Sequence, residues 1–213
     1  DQTLKPDAGR CFVAHTCRAE SPAMAILPRL AGQQLTTIDV QREETWRELP
    51  PNTPPMARHG QLLDVLVHDI GTVVELLPET PAKVRSRWNS AARTLETELL
   101  WPGVTLTIVQ RTAAEESRRS VRGEAENMGF SWQFAPGSTQ AWWRTGATRE
   151  ALEARWEDPT TALLREVMTA VAEGRPSPFD ASAGLRTMTL AAEVLSALPD
   201  TPFGAPFDWS FVR

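Results

Sequence analysis

Between residues 81 and 146 the chain alternates apolar and polar residues with a period of two, and this alternation most constrains its fold. The segment "KVRSRWNSA" places Val84, Ser86 and Trp88 on one face of a strand and basic residues on the other. "RTLETELLW", "VTLTIVQR", "SRRSVRGEAENMGFSWQF" and "TQAWWRTG" continue as strand-like runs without a helix-length insertion. Consecutive strands with one apolar and one polar face predict an open, mainly antiparallel sheet.

Helical spacing lies on both sides of these strands. "GQLLDVLVHDIGTVVELL" (60–77) predicts a buried helix, and the last third predicts two more, the first capped by Asp158 and ended by Gly174. We expect the buried stripes of the last two helices to contain Leu163, Leu164, Val167, Met168 and Val171, then Leu185, Met188, Val194, Leu195 and Leu198. The predicted fold class is therefore α+β, with helices packed on one face of the sheet.

Three short elements are predicted before the first long helix. "RCFVAHTCR" (10–18) has the continuous apolar character of a buried strand, and "SPAMAILPRLAG" after it predicts a short helix. "QQLTTIDVQRE" alternates again and predicts a further strand, which a proline-rich loop separates from the long helix.

Charge and composition exclude several classes of partner. A formal net charge of −5 gives no general attraction to nucleic acid or to anionic lipid. The sequence has neither an apolar run long enough to span a membrane nor a signal peptide, so we expect a cytoplasmic protein. With no tyrosine in the chain, a mechanism that uses a tyrosine hydroxyl is also excluded.

The two cysteines indicate neither a disulfide framework nor a metal site. Cys11 and Cys17, with His15 between them, fit no common zinc spacing, and we expect no metal. Both are predicted to be buried structural thiols.

One polar pair stands out in the predicted long helix. Asp64 and His68 are four residues apart and therefore share a face, so Asp64 can accept a hydrogen bond from one imidazole nitrogen and leave the other aimed into a cavity. An imidazole oriented in this way is a general acid or base. The alternative is a satisfied core histidine with a helix-stabilising ion pair. Asp69 points about 100° away and is expected to cap or to form a salt bridge.

The order of these motifs resembles the glucose-fructose oxidoreductase and inositol dehydrogenase (Gfo/Idh/MocA) family. "FVAHTCRAESP" is similar to the strand, Arg and Pro that close the family's nucleotide-binding domain, and "GQLLDVLVHDIG" to its G-G-x-L-x-D-x-G-x-H-x-x-D helix. "VRGEAENMGFSWQF" and the closing "REVMTAVAEGRPSPFDASAGLRTMTLAAEVLSA" resemble its sheet motif and its last two helices. The helix departs from the family pattern because Leu66 replaces a Gly and Gly71 replaces an Asp.

The motifs of the family's cofactor-binding domain are missing from this chain. None of the twelve glycines forms a G-x-G turn, and there is no E-K-P segment, so this chain looks like the substrate domain without its Rossmann domain. Residues 1–32 are then a remnant strand and helix of the nucleotide domain, and residues 33–213 are the Gfo/Idh/MocA-like domain, in one compact unit. We expect no cofactor on this chain, and NAD or NADP only where a separate or missing Rossmann domain supplies the site.

The resemblance also implies site residues and a partner. Asp64 and His68 correspond to the family's proton-transfer pair, and Arg18 to an arginine that faces the same pocket. Trp46 and Trp88 are candidate substrate contacts, although core packing is the alternative for both tryptophans. The exposed sheet face is commonly an interface in this family, which implies a homo-oligomer.

Three functions remain open on the sequence. The first is a cofactor-independent biosynthetic enzyme that acts by acid–base chemistry on a small organic, natural-product-like substrate. Its reaction would be an isomerisation, a dehydration (lyase chemistry) or a cyclisation. The second is the C-terminal part of an NAD(P)-dependent sugar or polyol oxidoreductase. The third is a non-catalytic binding or dimerisation module. Taking the 213 residues as the full chain, we expect the first.

Overall fold

An eight-stranded mixed sheet forms the centre of the protein in a computed structural model that describes residues 16–45, 55–175 and 181–198. Its strands are β1 (Thr37–Thr45), β2 (Lys83–Asn89), β3 (Thr94–Trp101), β4 (Val104–Arg111), β5 (Ala113–Glu124), β6 (Met128–Phe134), β7 (Gln140–Thr145) and β8 (Thr148–Leu152). They lie in the order β2-β3-β4-β1-β5-β6-β7-β8. Only the β1–β4 pair among these strands is parallel, so the prediction of a mainly antiparallel sheet is confirmed.

Most of the helices pack on one face of this sheet. They are α1 (Ser21–Ile26), α2 (Pro55–Val73), α3 (Pro159–Glu173) and α4 (Ala181–Ser196), and short 3₁₀ helices occupy Thr16–Ala19, Leu27–Leu30 and Val74–Leu76. Helix α2 buries its apolar stripe, which contains Leu62, Leu66, Ile70 and Val73, against the sheet. Helix α4 packs against α2 and β2, and α1 packs against β6 and β7. The α+β class is therefore confirmed.

Strand alternation in the sequence explains which face carries the core. In β1 the inward side chains Ile38 and Val40 are fully buried, whereas Thr37 and Gln41 are exposed on the other face. The same alternation buries Leu95 and Leu99 in β3. The face away from the helices remains polar, as the pattern predicts.

The caps of α3 also follow the sequence. The Asp158 side chain accepts a hydrogen bond from the Thr161 amide at 2.7 Å, which satisfies one of the unpaired amides of the first turn. Gly174 ends the helix with a left-handed φ of 65°, a conformation that costs a glycine little.

The N-terminal strand prediction is wrong for residues 16–18. These residues form the 3₁₀ helix Thr16–Ala19, and among the described residues no strand precedes Thr37. A short apolar run is ambiguous between strand and helix, and this one contacts α2 and α3 rather than a neighbouring strand. Residues 10–15, the rest of the predicted strand, lie outside the described residues.

Two predicted buried stripes are only half buried. In α3, Leu163 and Val167 are buried, but Leu164, Met168 and Val171 are 53–71% exposed. In α4, Val194 and Leu195 are buried, as is Leu198 just after the helix, whereas Leu185 is 72% exposed and Met188 is 37% exposed. The apolar stripes predicted from the sequence are therefore wider than the faces that α3 and α4 bury among the described residues. No helix in the described ranges is both long and apolar enough to cross a membrane.

Candidate functional site

A cluster of charged and polar side chains lies where the second half of α2 crosses the sheet. Asp69 is completely buried, whereas the Asp64 side chain is 75% exposed and the His68 side chain is 26% exposed. Helix geometry therefore points Asp69 at the sheet and carries Asp64 to the surface, with His68 between them.

Asp69 is the centre of a buried network that reaches three strands. Its Oδ1 accepts from Arg42 Nε at 2.8 Å and lies 2.7 Å from Arg42 Nη2, while its Oδ2 accepts from Gln110 Nε2 at 2.7 Å. Arg119 Nη1 lies 3.9 Å from the same carboxylate, within ion-pair range. The expectation that Asp69 forms a salt bridge is therefore confirmed.

Sheet register explains why these side chains converge. Arg42 of β1 is paired with Gln110 of β4 on one side and with Arg119 of β5 on the other. The three residues thus form one row across adjacent strands, on the face that α2 covers. Arg119 pairs with the Glu20 carboxylate as well, and Arg42 Nη1 lies 3.2 Å from Glu44.

Cys17 joins this cluster from the 3₁₀ helix Thr16–Ala19. Its side chain is buried, and Arg42 Nη2 donates to its Sγ at 3.6 Å. Burial by itself raises the pKa of the Cys17 thiol, but the charge of Arg119, the interaction with His68 and the charge of Arg42 together lower this pKa to about 6. The thiolate is therefore favoured at neutral pH.

His68 interacts with both the buried and the exposed sides of this cluster. The interaction with Cys17 raises the pKa of His68 above its usual value, although burial opposes that shift. His68 Nδ1 is buried and has no hydrogen-bond partner among the described residues. On the exposed side, Nε2 lies 3.8 Å from Asp64 Oδ1. That distance is longer than a hydrogen bond and makes the pair an electrostatic contact.

The other predicted site residues are distributed differently. Arg18 is buried beside Cys17, and its Nη2 lies 2.5 Å from Glu75 Oε2, so it forms an ion pair near the end of α2. Trp88 is half-buried in β2, in the same cross-strand row as Gln110 but two strands away from it. Trp46 lies outside the described residues.

The residues that sequence reasoning missed are Glu20, Arg42, Gln110 and Arg119. Strand parity could have indicated three of them, because Arg42 continues the buried face of Ile38 and Val40. Gln110 likewise follows Leu106 and Ile108. A polar residue at an inward position of a strand requires a partner, and three such residues on adjacent strands indicate a buried polar site.

Comparison with known proteins places this geometry in a known fold. Neither a family model nor a curated protein matches the sequence. Among solved structures, UDP-N-acetylglucosamine 3-dehydrogenase GnnA from Acidithiobacillus ferrooxidans is similar with a TM-score of 0.69 and 19% identity, over 86% of this chain and 60% of that chain. An aldose-aldose oxidoreductase from Caulobacter crescentus, complexed with glycerol, is similar with a TM-score of 0.65 and 15% identity, over 87% of this chain and 61% of that one.

Both similar structures are Gfo/Idh/MocA-type oxidoreductases, the type that the sequence motifs resemble. At these identities the similarity shows the fold alone. The chain therefore has the fold of one part of such oxidoreductases, and it spans about 60% of their length.

Proposed function

We propose that this chain carries the acid–base part of an active site, in which His68 exchanges protons with a small organic substrate. The observation that carries this proposal is the position of the imidazole between solvent and the buried cluster of charged and polar side chains around Asp69. Its Nε2 edge faces the exposed Asp64, and its other edge interacts with Cys17, which favours the protonated ring. A protonated imidazole with an exposed edge is a general acid, and it becomes a general base after it has given up the proton.

Redox-neutral reactions suit these residues best. Isomerisation, dehydration and cyclisation each require a proton to be added at one atom of the substrate and removed from another, and no hydride acceptor is needed.

The other predicted site residues are assigned supporting roles. Asp64, at the surface, would stabilise the His68 imidazolium electrostatically. Half-buried Trp88 is the proposed flat contact for a ring-shaped, natural-product-like substrate, with Trp46 as a second contact. Arg18 is proposed to fix the geometry through its ion pair with Glu75 while remaining close to Cys17.

The second candidate function is the substrate half of an NAD(P)-dependent sugar or polyol oxidoreductase. It is favoured by the similarity to a dehydrogenase and an aldose-aldose oxidoreductase, and by the 60% share of their length that this chain spans. The sequence contains no glycine-rich pyrophosphate turn, so its own residues do not form the usual NAD(P) site. In that case another domain or chain would bind the nicotinamide, and His68 would take the hydroxyl proton.

A homo-oligomer formed through the open sheet face is compatible with either function. On that face Arg122, Trp142 and Arg149 line a groove of about 480 Å³, together with Asp39 and Gln41. Arg149 Cζ lies 4.1 Å from the Trp142 ring centroid. The stacked guanidinium and indole present a flat polar surface. The third candidate, a non-catalytic module, would use this face alone.

Deuterium exchange at the α-carbons of a panel of small ketones and hydroxyketones, followed by NMR, tests the acid–base proposal without a known substrate. We expect His68→Asn to slow any exchange that the protein catalyses by about 10²–10⁴-fold, because a positioned acid or base contributes that much. His59→Asn is the matched control, since residue 59 lies on the same helix but about 13 Å away along its axis. An equal decrease of the exchange rate in both variants, or no decrease in either, would contradict the proposal.

Thermal-shift titration with NAD and with NADP separates the first two functions. We expect no rise in Tm with either nucleotide for a cofactor-independent enzyme. A ligand at about 100 times its Kd stabilises the folded state by about 2.7 kcal/mol, which is readily measured. A clear rise with either nucleotide would favour the oxidoreductase instead.

A further inference from the structure

The groove on the open face of the sheet has a polar floor. This open-face groove lies across β1, β5, β6, β7 and β8, on the face opposite the one that α2 covers, and its volume is about 480 Å³. A cavity of this size holds a small molecule, and because ligand sites are usually lined by apolar groups, a polar floor selects a polar ligand. Register places the floor side chains in two cross-strand rows, one of Asp39, Arg122, Ser131 and Trp142 and one of Gln41, Ser120, Gln133 and Gln140.

Both arginines that line the open-face groove have no carboxylate partner. Neither Arg122 nor Arg149 forms an ion pair with another residue that the structure describes. Asp39 faces Arg122 across β1 and β5, but it also forms no ion pair within the described ranges. Because a guanidinium group is always charged, the groove has positive charge that no described carboxylate contacts.

Other arginines on the same face are paired across neighbouring strands. Arg85 Nη1 of β2 lies 3.0 Å from Glu98 Oε2 of β3. Arg144 of β7 is paired with Glu124 of β5. The missing carboxylate partners are therefore a feature of the open-face groove and not of the whole face.

Arg149 is held in a position from which it can bind an oxyanion. Its Cζ lies 4.1 Å from the centroid of the Trp142 ring, so the guanidinium stacks on the indole. Stacking uses the face of the guanidinium and leaves its in-plane N–H donors without an acceptor among the described residues. A planar fork of donors matches the oxygens of a carboxylate or a phosphate group. Arg122 lies two strands from Trp142, about 10 Å between Cα atoms, so its side chain can reach an oxyanion bound at Arg149.

The remaining polar groups of the groove suit the hydroxyl groups of a ligand. The hydroxyls of Ser120 and Ser131 make no hydrogen bond to another described residue, and neither does the side-chain amide of Gln41. Serine hydroxyls and amides each donate and accept, and the Asp39 carboxylate accepts. A ligand with several hydroxyl groups would satisfy these donors and acceptors.

We propose that the open-face groove binds a polyhydroxylated oxyanion, that is, a small molecule with several hydroxyl groups and one phosphate or carboxylate group. Arg122 and Arg149 bind the oxyanion, while Asp39 and the two serine hydroxyls bind the hydroxyl groups. The groove and His68 lie on opposite sides of the sheet, so this site goes beyond the proposed acid–base function and does not depend on it.

An NMR titration with four probes tests the site: glucose 6-phosphate, gluconate, glucose and inorganic phosphate. The readout is the indole N–H signal of Trp142, assigned by its loss in Trp142→Phe, at protein concentrations below any self-association. We expect glucose 6-phosphate or gluconate to bind at least about tenfold more tightly than glucose, which lacks the charge-assisted hydrogen bonds. Binding of glucose 6-phosphate alone would identify the oxyanion as a phosphate, and binding of gluconate alone would identify it as a carboxylate.

Substitution of the two arginines locates the site. We expect Arg122→Gln and Arg149→Gln each to weaken binding of the tighter probe by about tenfold or more. Arg149→Lys should weaken it less than Arg149→Gln, because the charge is retained and only the planar fork is lost. Arg85→Gln is the matched control, since it removes an arginine from the same face outside the groove and should leave the affinity unchanged. All three arginines are exposed, so we expect the variants to fold, and circular dichroism checks this.

Three results would overturn the proposal. One is that neither glucose 6-phosphate nor gluconate shifts the Trp142 signal, which is also the result expected if a second copy of the chain fills the groove. The second is that glucose or inorganic phosphate binds as tightly as the tighter probe, since hydroxyl groups and oxyanion would then not be recognised together. The third is an equal loss of affinity in Arg85→Gln and Arg122→Gln. Proton exchange by His68 is measured separately, and none of these results bears on it.

Discussion

At the scale of single residues, Asp69 is the side chain on which the candidate site depends. It is completely buried and is held by Arg42 and Gln110, with Arg119 within 3.9 Å. Burying charges is costly unless they are paired, so the two guanidinium groups require this carboxylate as much as it requires them. Asp64, which the helix spacing indicated as a site residue, is exposed and does not neutralise a buried charge.

We expect Asp69→Asn to lower the free energy of unfolding by about 3–5 kcal/mol, because it leaves buried positive charge without its partner. Urea denaturation measures this change. Asp64→Asn is the matched control five residues earlier on the same helix, and we expect a change within about 0.5 kcal/mol. If Asp69→Asn lowers the free energy of unfolding no more than Asp64→Asn does, the Asp69 network does not stabilise the fold.

At the scale of elements, Gly123 shows how tightly neighbouring strands pack. It lies opposite Phe130, and an added Cβ would come within 2.3 Å of the Phe130 ring. That ring is buried and stacks on Trp132 with centroids 5.5 Å apart, so it has little freedom to move. Gly129, by contrast, would meet only the ends of the Glu124 and Arg144 side chains, which are partly exposed and flexible.

We predict that Gly123→Ala lowers the free energy of unfolding by about 1–3 kcal/mol, the usual cost of overpacking a core. Gly129→Ala should cost clearly less, since flexible polar chain ends can move aside. Thermal and urea unfolding of both variants provide the comparison. A larger loss for Gly129→Ala would mean that Phe130 is not locked over the glycine.

At the scale of the whole molecule, the sheet has one face covered by helices and one open face rich in charge. Pairs such as Arg85 with Glu98, and Arg111 with Glu43, alternate in sign across the open face. Mixed charges of this kind allow a second copy to dock by complementarity, and they also discourage non-specific aggregation.

We expect the protein to self-associate through the open face and to dissociate as NaCl is raised to about 1 M, where the Debye length falls to about 3 Å. Arg122→Glu, in the groove of that face, should weaken the association. Arg175→Glu, after the end of α3, should leave it unchanged. Analytical ultracentrifugation gives the mass of each variant. A monomer at all concentrations, or association indifferent to Arg122→Glu, would contradict the proposed interface.

The sequence by itself determined the elements that have a strong period. Alternation located the strand regions from β1 to β7, although it gave β5 and β6 as one run; helical spacing specified α2, α3 and α4, and Asp158 with Gly174 marked the ends of α3. It missed β8, because "TREAL" is short and largely exposed and so carries no apolar alternation. It also overestimated the buried faces of α3 and α4, since periodicity shows which residues share a face but not what covers them.

Only the tertiary structure decided the composition of the site. Helical spacing brought Asp64 and His68 together because residues four apart share a face. It could not join Asp69 to Arg42 and Gln110, which are 27 and 41 residues away in the chain. Those contacts exist because β1 lies between β4 and β5, which puts three inward polar side chains in one row beneath α2. Local periodicity fixes elements, whereas long-range register brings chemical groups into contact.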